Sequence, residues 1–193
     1  MATNRRSGIN FKRLIAALVL VALAGVLALL LARHMEYRTY KLTYEQEIKK
    51  YAAEFNLDPY LVASVIHVES GNRPSVTSSA GATGLMQLMP DTAEWICGKL
   101  SLDYDETMLK DPAVNVRLGC WYLRFVKDRF ENDQAALAAY NAGHSIVAKW
   151  LQDAQYSQDG KALINIPYQQ TSDYVVKITN AYEKYKKLYP DRL

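Results

Sequence analysis

Two patterns of apolar residues divide this chain. From Leu14 to Ala32 the stretch "LIAALVLVALAGVLALLLA" runs for nineteen residues without a charged or strongly polar side chain. From Tyr44 onward, apolar residues recur instead at three- and four-residue spacing, with polar faces between them. The first pattern has no polar face to turn toward water, which a core helix of a globular protein usually keeps. At the α-helical rise it makes roughly 28 Å of helix, close to the hydrocarbon thickness of a bilayer. It therefore predicts a single transmembrane helix over residues 14–32.

The second pattern predicts helices almost throughout. "YEQEIKKYAAEFN" reads as an amphipathic helix ending near Asn56. Asp58 and Pro59 supply an N-cap and a proline at the first helical position for "YLVASVIHVES", and Gly71 is a natural stop. Pro90-Asp91 opens "DTAEWICGKL", Asp111-Pro112 opens "AVNVRLGCWYLRFVKDRF", and Asn132-Asp133 opens the Ala-rich "QAALAAYNAG", which stops at Gly143. "HSIVAKWLQ" follows. After a loop with Gly160, Asn165 and Pro167, the residues Tyr174, Ile178, Ala181, Tyr182, Tyr185 and Tyr189 mark a last helix. Strand-type alternation is nearly missing. The expected architecture is mainly α: about seven or eight helices over 44–193, preceded by a polar stalk over 33–43, the transmembrane helix and a basic tail over 1–13. Roughly 150 residues suffice for a real core.

Charge changes the picture at the amino terminus. Arg5, Arg6, Lys12 and Arg13 precede the apolar run and no acidic residue does. By the positive-inside rule the tail stays cytoplasmic and the rest is exported, with the helix as an uncleaved anchor. A cleavable signal peptide is the rival, because Ala22-Leu23-Ala24 resembles a cleavage site, but the apolar run continues for eight residues beyond it. No cysteine near the run suggests a lipid anchor. Of 23 basic residues four lie in this tail, leaving 19 against 20 acidic ones, about −1, so nothing suggests a nucleic-acid-binding surface. Cys97 and Cys120 both fall in the exported part. A disulfide and two buried thiols are both open to them. Together with His67 and His144 they form no metal-ligand spacing, and neither a metal nor a cofactor is expected.

The candidate chemistry begins at Glu69. Leu61, Val65 and Glu69 fall on one helical stripe at i, i+4, i+8, flanked by Val62 and Ile66. The carboxyl thus continues an apolar face, at the negative end of a helix dipole, and both effects raise its pKa. A carboxyl held protonated near neutrality is what a general acid needs. The plainer alternative is a glutamate at a frayed helix end, pointing to solvent. Beyond it, "SSAGATGLMQLMP" places Gly81 and Gly84 at tight backbone positions and then offers Met86 as an apolar wall and Gln87 as an amide donor and acceptor. "AAYNAG" presents Tyr140 and Asn141 just before a helix stop.

In this order "ES", "GLMQLMP", "DPAVNVRLGCWYLRFV", "AYNAG" and "IPYQQTSDYVVKI" resemble the catalytic domain of the soluble lytic transglycosylases, over about residues 44–190. The resemblance implies a lysozyme-like α fold that cleaves the β-1,4 bond between N-acetylmuramic acid and N-acetylglucosamine in peptidoglycan. It implies Glu69 as the single catalytic acid/base and Ser70, Gly84, Met86, Gln87, Tyr140, Asn141 and Tyr174 as substrate-binding residues, with the Tyr140 hydroxyl close to the carboxyl. Gln170 stands where the family often has Glu before the Thr of its last motif, so substrate contacts there are open. Glycosidases commonly use two carboxylates, and around these motifs only Glu69 is well placed: Asp91 reads as a helix-start residue and Asp173 as a solvated group. One carboxyl implies a nucleophile from the substrate, ending in a 1,6-anhydro sugar without water or cofactor. The expected partners are glycan strands and, through the first helix, the membrane. Two alternatives stay open: a muramidase of the same fold that uses water, and an inactive peptidoglycan-binding scaffold.

Overall fold

The computed structural model describes residues 11–193; Arg5 and Arg6 of the basic tail lie outside them. The chain divides into two units, with the boundary between Lys41 and Leu42. The first contains helix α1, Phe11–Thr39, 29 residues with no buried side chain. It is long and apolar enough to cross a membrane. The helix runs on through residues 33–39, so most of the stretch read as a polar stalk is helical.

The second unit, Leu42–Leu193, holds seven α-helices and a short 3-10 helix, in line with the expected mainly α domain. These are α2 (Glu45–Glu54), α3 (Pro59–Ser70), α4 (Pro90–Leu100), the 3-10 helix Glu106–Lys110, α5 (Pro112–Arg129), α6 (Asp133–Ala142), α7 (His144–Gln152) and α8 (Gln169–Leu188). The starts follow the capping residues. Asp58 accepts from the Tyr60 amide at 2.8 Å, Asp111 from the Val114 amide at 3.0 Å and Asn132 from the Ala135 amide at 3.1 Å. Each satisfies a donor that the first helical turn leaves unpaired. Gly71 ends α3 in the left-handed region, at φ 60°.

Helix α6 sits at the centre and packs on α5, α7 and α8. Its run of Ala135, Ala136, Ala138 and Ala139 is buried, and these small side chains let three neighbours approach closely. The most extensive helix pair is α3 with α8. There Val62, Val65 and Ile66 meet a face built from Ile178, Ala181 and Tyr185, all within 1% of full burial. At the start of α3, Asp58 accepts from the Tyr182 hydroxyl at 2.6 Å and the Tyr60 hydroxyl donates to the Tyr189 carbonyl at 2.7 Å. The start of α3 is thereby tied to the end of α8. Cys97 and Cys120 are buried as separate thiols.

Between α3 and α4 the chain forms a compact loop with isolated bridges, Thr77 to Thr83 and Thr83 to Leu88, and no named strand. A buried carboxamide on α5 organises it. Asn115 Oδ1 accepts from the Met86 amide at 2.8 Å, and its Nδ2 donates to the carbonyls of Thr83 at 3.0 Å and Leu109 at 2.9 Å. Gly84 lies against this group at φ 88°. A Cβ there would stand 2.1 Å from Asn115 Nδ2 and 2.3 Å from the Leu109 carbonyl oxygen. Gly81, at φ 93°, has open space around it. Both glycines meet the backbone strain of a positive φ, about 1–2 kcal/mol for an L-residue, but only Gly84 also meets a collision. Gly84→Ala is expected to unfold the loop and lower the thermal midpoint far more than Gly81→Ala. Equal midpoints for the two variants would show that the Asn115 contact does not anchor the loop.

Candidate active site

Glu69 occupies the last turn of α3, one residue before the end. The apolar stripe that carries it is buried in full at Val62, Val65 and Ile66, and Glu69 itself is half-buried. Removal from water disfavours its ionised form and pushes the carboxyl from 4.5 up to about 7. A smaller, opposing influence comes from the Tyr174 hydroxyl, which favours the carboxylate by hydrogen bonding. That contact is not a seated one: the buried Tyr174 Oη has no partner of ordinary hydrogen-bond geometry. The two groups are close enough to influence each other's ionisation without forming a well-aligned hydrogen bond.

Tyr140 belongs to the same cluster. Burial raises its phenol well above the ordinary value, and the charge of Glu69 adds to the effect. Tyr174 is raised by burial first, then by Glu69 and Tyr140. A carboxyl from α3, a phenol from α6 and a phenol from α8 thus converge where three helices meet. Their roles differ from the expectation. The Tyr140 hydroxyl donates to the Met86 carbonyl at 3.0 Å, so its one proton is committed to the loop and cannot also point at an ionised Glu69. Tyr174 is the phenol free to do so.

A cleft of about 200 Å³ is lined by Gln87, Leu88, Met89, Thr92, Tyr122, Tyr140, Asn141, Ala142 and Gly143. Gln87 sits in the left-handed region at φ 47°, and its Nε2 donates to the carbonyls of Val76 at 3.1 Å and Gly84 at 2.9 Å. With both amide hydrogens used inside the loop, Gln87 offers the cleft an acceptor, Oε1. Asn141 Oδ1 accepts from the Thr171 hydroxyl at 2.9 Å, which joins the start of α8 to the end of α6. A second cleft of about 550 Å³ is lined by Asp91, Thr92, Trp95, Tyr122, Gly143, His144, Ser145 and Ile146. The two share Thr92, Tyr122 and Gly143, so they lie side by side. Glu69 lines neither of them; it is linked to the smaller one through Tyr140.

Three expected binding residues take structural places instead. Ser70 is 1% exposed and its hydroxyl donates back to the Ile66 carbonyl at 3.0 Å, leaving no donor for a ligand. Met86 is fully buried and packs on Gly119, where an added Cβ would come within 2.4 Å of its sulfur; the apolar wall it was expected to form faces the core. Gly84 is required by Asn115 and the Leu109 carbonyl, not by an approaching ligand. Gln170 is exposed on the first turn of α8. Asn115 and Thr171, which position the loop and Asn141, escaped the sequence reading. The one available signal for Asn115 was an amide set among the aliphatic residues Val114, Val116 and Leu118. Among the described residues no group of three or more His, Cys, Asp or Glu side chains could hold a metal ion.

The chain is similar to known proteins along most of its length. The model of the family described as the transglycosylase SLT domain matches residues 46–164. The soluble lytic murein transglycosylase of Escherichia coli K12 is 33% identical over 160 residues, which cover 81% of this chain and 24% of that protein. The membrane-bound lytic murein transglycosylase C of Actinobacillus pleuropneumoniae serotype 5b is 28% identical over 179 residues, covering 81% of this chain and 48% of that one. The crystal structure of an inactive Glu-to-Gln variant of the lytic transglycosylase Slt from Pseudomonas aeruginosa superposes with a TM-score of 0.67 at 29% identity, covering 77% of this chain and 25% of that one. The chain therefore spans between a quarter and a half of the length of these proteins.

The raised carboxyl has a consequence for stability. Between the ordinary carboxyl value and about 7, the folded protein keeps a proton that the unfolded chain has released. Stability therefore falls as pH rises through that window and stays lower above it. A shift from 4.5 to about 7 corresponds to on the order of 3 kcal/mol. Glu69→Gln, which cannot ionise, is expected to raise the urea midpoint over wild type at about pH 8.5 and to leave it nearly unchanged at about pH 4. Matching midpoints at both pH values would mean that the carboxyl is solvated.

Proposed function

The chain belongs to the transglycosylase SLT domain family, and on that premise we propose that it is a membrane-anchored lytic transglycosylase cleaving the MurNAc-β-1,4-GlcNAc bond of peptidoglycan. The observation that carries this reading is a carboxyl pushed up to about 7 beside the buried Tyr140, which lines the smaller cleft, with no second carboxylate among the groups that shift it. At neutral pH a large share of Glu69 carries its proton and can give it to the glycosidic oxygen as the C1–O bond breaks. The N-acetyl oxygen of the muramyl sugar supports C1 from the far face. Glu69, now ionised, takes the proton of the C6 hydroxyl, whose oxygen closes on C1 and leaves a 1,6-anhydro end. Protons and bonds balance without water, metal or cofactor.

The neighbours suit this sequence. Tyr174 favours the carboxylate that exists only after the first proton transfer, and its loose geometry allows it to close when substrate completes the site. Gln87, presenting only an acceptor, suits the N–H of an N-acetyl group. Asn141, held by Thr171, has its amide nitrogen left for a sugar oxygen. Tyr140 keeps the loop carbonyl of Met86 in place and lines the cleft with its ring. The relative described as membrane-bound, together with α1, supports attachment to the membrane, with the basic residues before it on the cytoplasmic side and the 42–193 unit facing the wall.

A hydrolytic reading has one specific point in its favour, since Asp91 stands in the first turn of α4 on the wall of the larger cleft. Products decide between the two. Full-length protein in detergent micelles, given purified sacculi, is expected to release muropeptides lighter by one water than reducing ones. Glu69→Gln is expected to lose at least about a thousandfold in rate, the scale on which a general acid/base contributes. Reducing ends that vanish in both Glu69→Gln and Asp91→Asn would make it a hydrolase, and sacculi bound but never cut would make it a scaffold. As the proton donor is lost above its pKa, kcat/KM is expected to fall as pH rises beyond about 7.

A further inference from the structure

The last turn of α3 has to resist unwinding. A helix leaves its final carbonyls without intrahelical donors, and here that turn carries Glu69. Once ionised, the carboxyl is better off in water than among apolar side chains, and fraying of the turn is the shortest way out. Two local bonds oppose it: the Gly71 amide donates to the His67 carbonyl at 3.0 Å, and Arg73 Nε donates to the Ser70 carbonyl at 2.8 Å. The chain then reverses sharply, with Gly71 at φ 60° and Asn72 at φ 65°, both left-handed. Glycine adopts that region freely, and asparagine more readily than most residues with a side chain.

What holds Asn72 comes from far along the chain. Its amide oxygen accepts from the Thr43 hydroxyl at 2.7 Å, across 29 positions. Thr43 is the second residue of the 42–193 unit, four positions after α1 ends at Thr39. It is pinned on both sides. Before it, the Leu42 amide donates to the Tyr189 hydroxyl at 3.3 Å, and the Tyr189 carbonyl in turn receives the Tyr60 hydroxyl at the start of α3. After it, the Tyr44 carbonyl accepts from the amide of the buried Ile48 at 2.9 Å, in the first turn of α2. A β-branched residue between two such fixed points has few rotamers, so its hydroxyl is a rigid support. Neither Thr43 nor Asn72 is among the groups that alter the ionisation of Glu69. Their influence on the acid therefore runs through the turn and not through charge.

We propose that Thr43 and Asn72 are positioning residues for the reaction: their hydrogen bond fixes the left-handed turn that ends α3, and with it the direction in which Glu69 presents its carboxyl. The assignment rests on the reading of Glu69 as the acid and adds two residues outside the motifs that mark the site. The contact holds the proton donor and not the strand, so it acts on kcat and leaves KM.

The test is the initial rate of 1,6-anhydro end formation by the full-length protein in detergent micelles, measured against sacculus concentration. Thr43→Val keeps the shape and removes the hydroxyl. It is expected to lower kcat about tenfold with KM within about twofold, short of the roughly hundredfold that about 1 Å of misplacement can cost. Thr43→Ser restores the donor and is expected to return kcat to within about twofold of wild type. Asn72→Gly tolerates the positive φ but has no amide, and its loss is expected to match that of Thr43→Val. The double variant is expected to be no slower than either single one, as for two groups that act through one contact. Circular dichroism melts verify that each variant is folded at the assay temperature. Unchanged kcat in folded Thr43→Val, no recovery with Thr43→Ser, or losses that multiply in the double variant would each overturn the proposal, as would a raised KM at constant kcat. Cleavage retained by Glu69→Gln would instead defeat the reaction on which the positioning rests.

Discussion

One buried amide holds the groove together. Asn115 sits in the middle of α5 with no exposure, and its three hydrogen bonds reach the Met86 amide and the carbonyls of Thr83 and Leu109. Each of those backbone groups is cut off from water, so each requires a partner on the protein side. The demand propagates outward. It leaves no room for a side chain at Gly84, fixes the position from which the Met86 carbonyl accepts the Tyr140 hydroxyl, and sets the turn in which Gln87 adopts a positive φ. The loop that walls the cleft is therefore attached to the core at a point and inherits the rigidity of α5.

The carboxyl at the other side of the groove runs against ordinary folding economy. A glutamate at the end of a helix is most stable ionised and solvated, whereas Glu69 is drawn to about 7 by the apolar stripe that carries it. The neighbouring phenols do little to reverse this, since the proton of Tyr140 is used elsewhere and that of Tyr174 is not seated. The site thus keeps a carboxyl destabilised in its charged form, with the Tyr174 hydroxyl beside it left without a well-aligned partner.

Around this centre the protein is built from close-packed helices with little spare surface. The Ala-rich α6 lets α5, α7 and α8 gather on it, and that convergence is what brings Tyr140, Tyr122, His144 and Thr171 within reach of one groove. The first unit obeys a different physics. None of the side chains of α1 is buried, and an apolar helix of that kind is stable only where lipid, not water, surrounds it. The uniformly apolar helix and the groove thus belong to separate segments of the chain.

The sequence by itself determined the elements and the acid. Helix starts at Asp58, Asp111 and Asn132, the stop at Gly71, and the stripe that delivers Glu69 are all local matters, decided by capping groups and by the 3.6-residue period, and they were legible from residues a few positions apart. The absence of any such period marked α1 as uniformly apolar. What only the tertiary structure decided was direction and company. Ser70, Gly84 and Met86 belong to motifs beside the acid, yet they turn into the core because Ile66, Asn115 and Gly119, residues from 4 to more than 30 positions away, claim their atoms or the space around them. Asn115 itself gave only the weak signal of an amide among aliphatics. The choice of Tyr174 over Tyr140 as the hydroxyl facing Glu69 followed from a proton already promised to the Met86 carbonyl. Hydrogen bonds and excluded volume act between atoms brought together by folding, and no spacing along the chain encodes which atom arrives first.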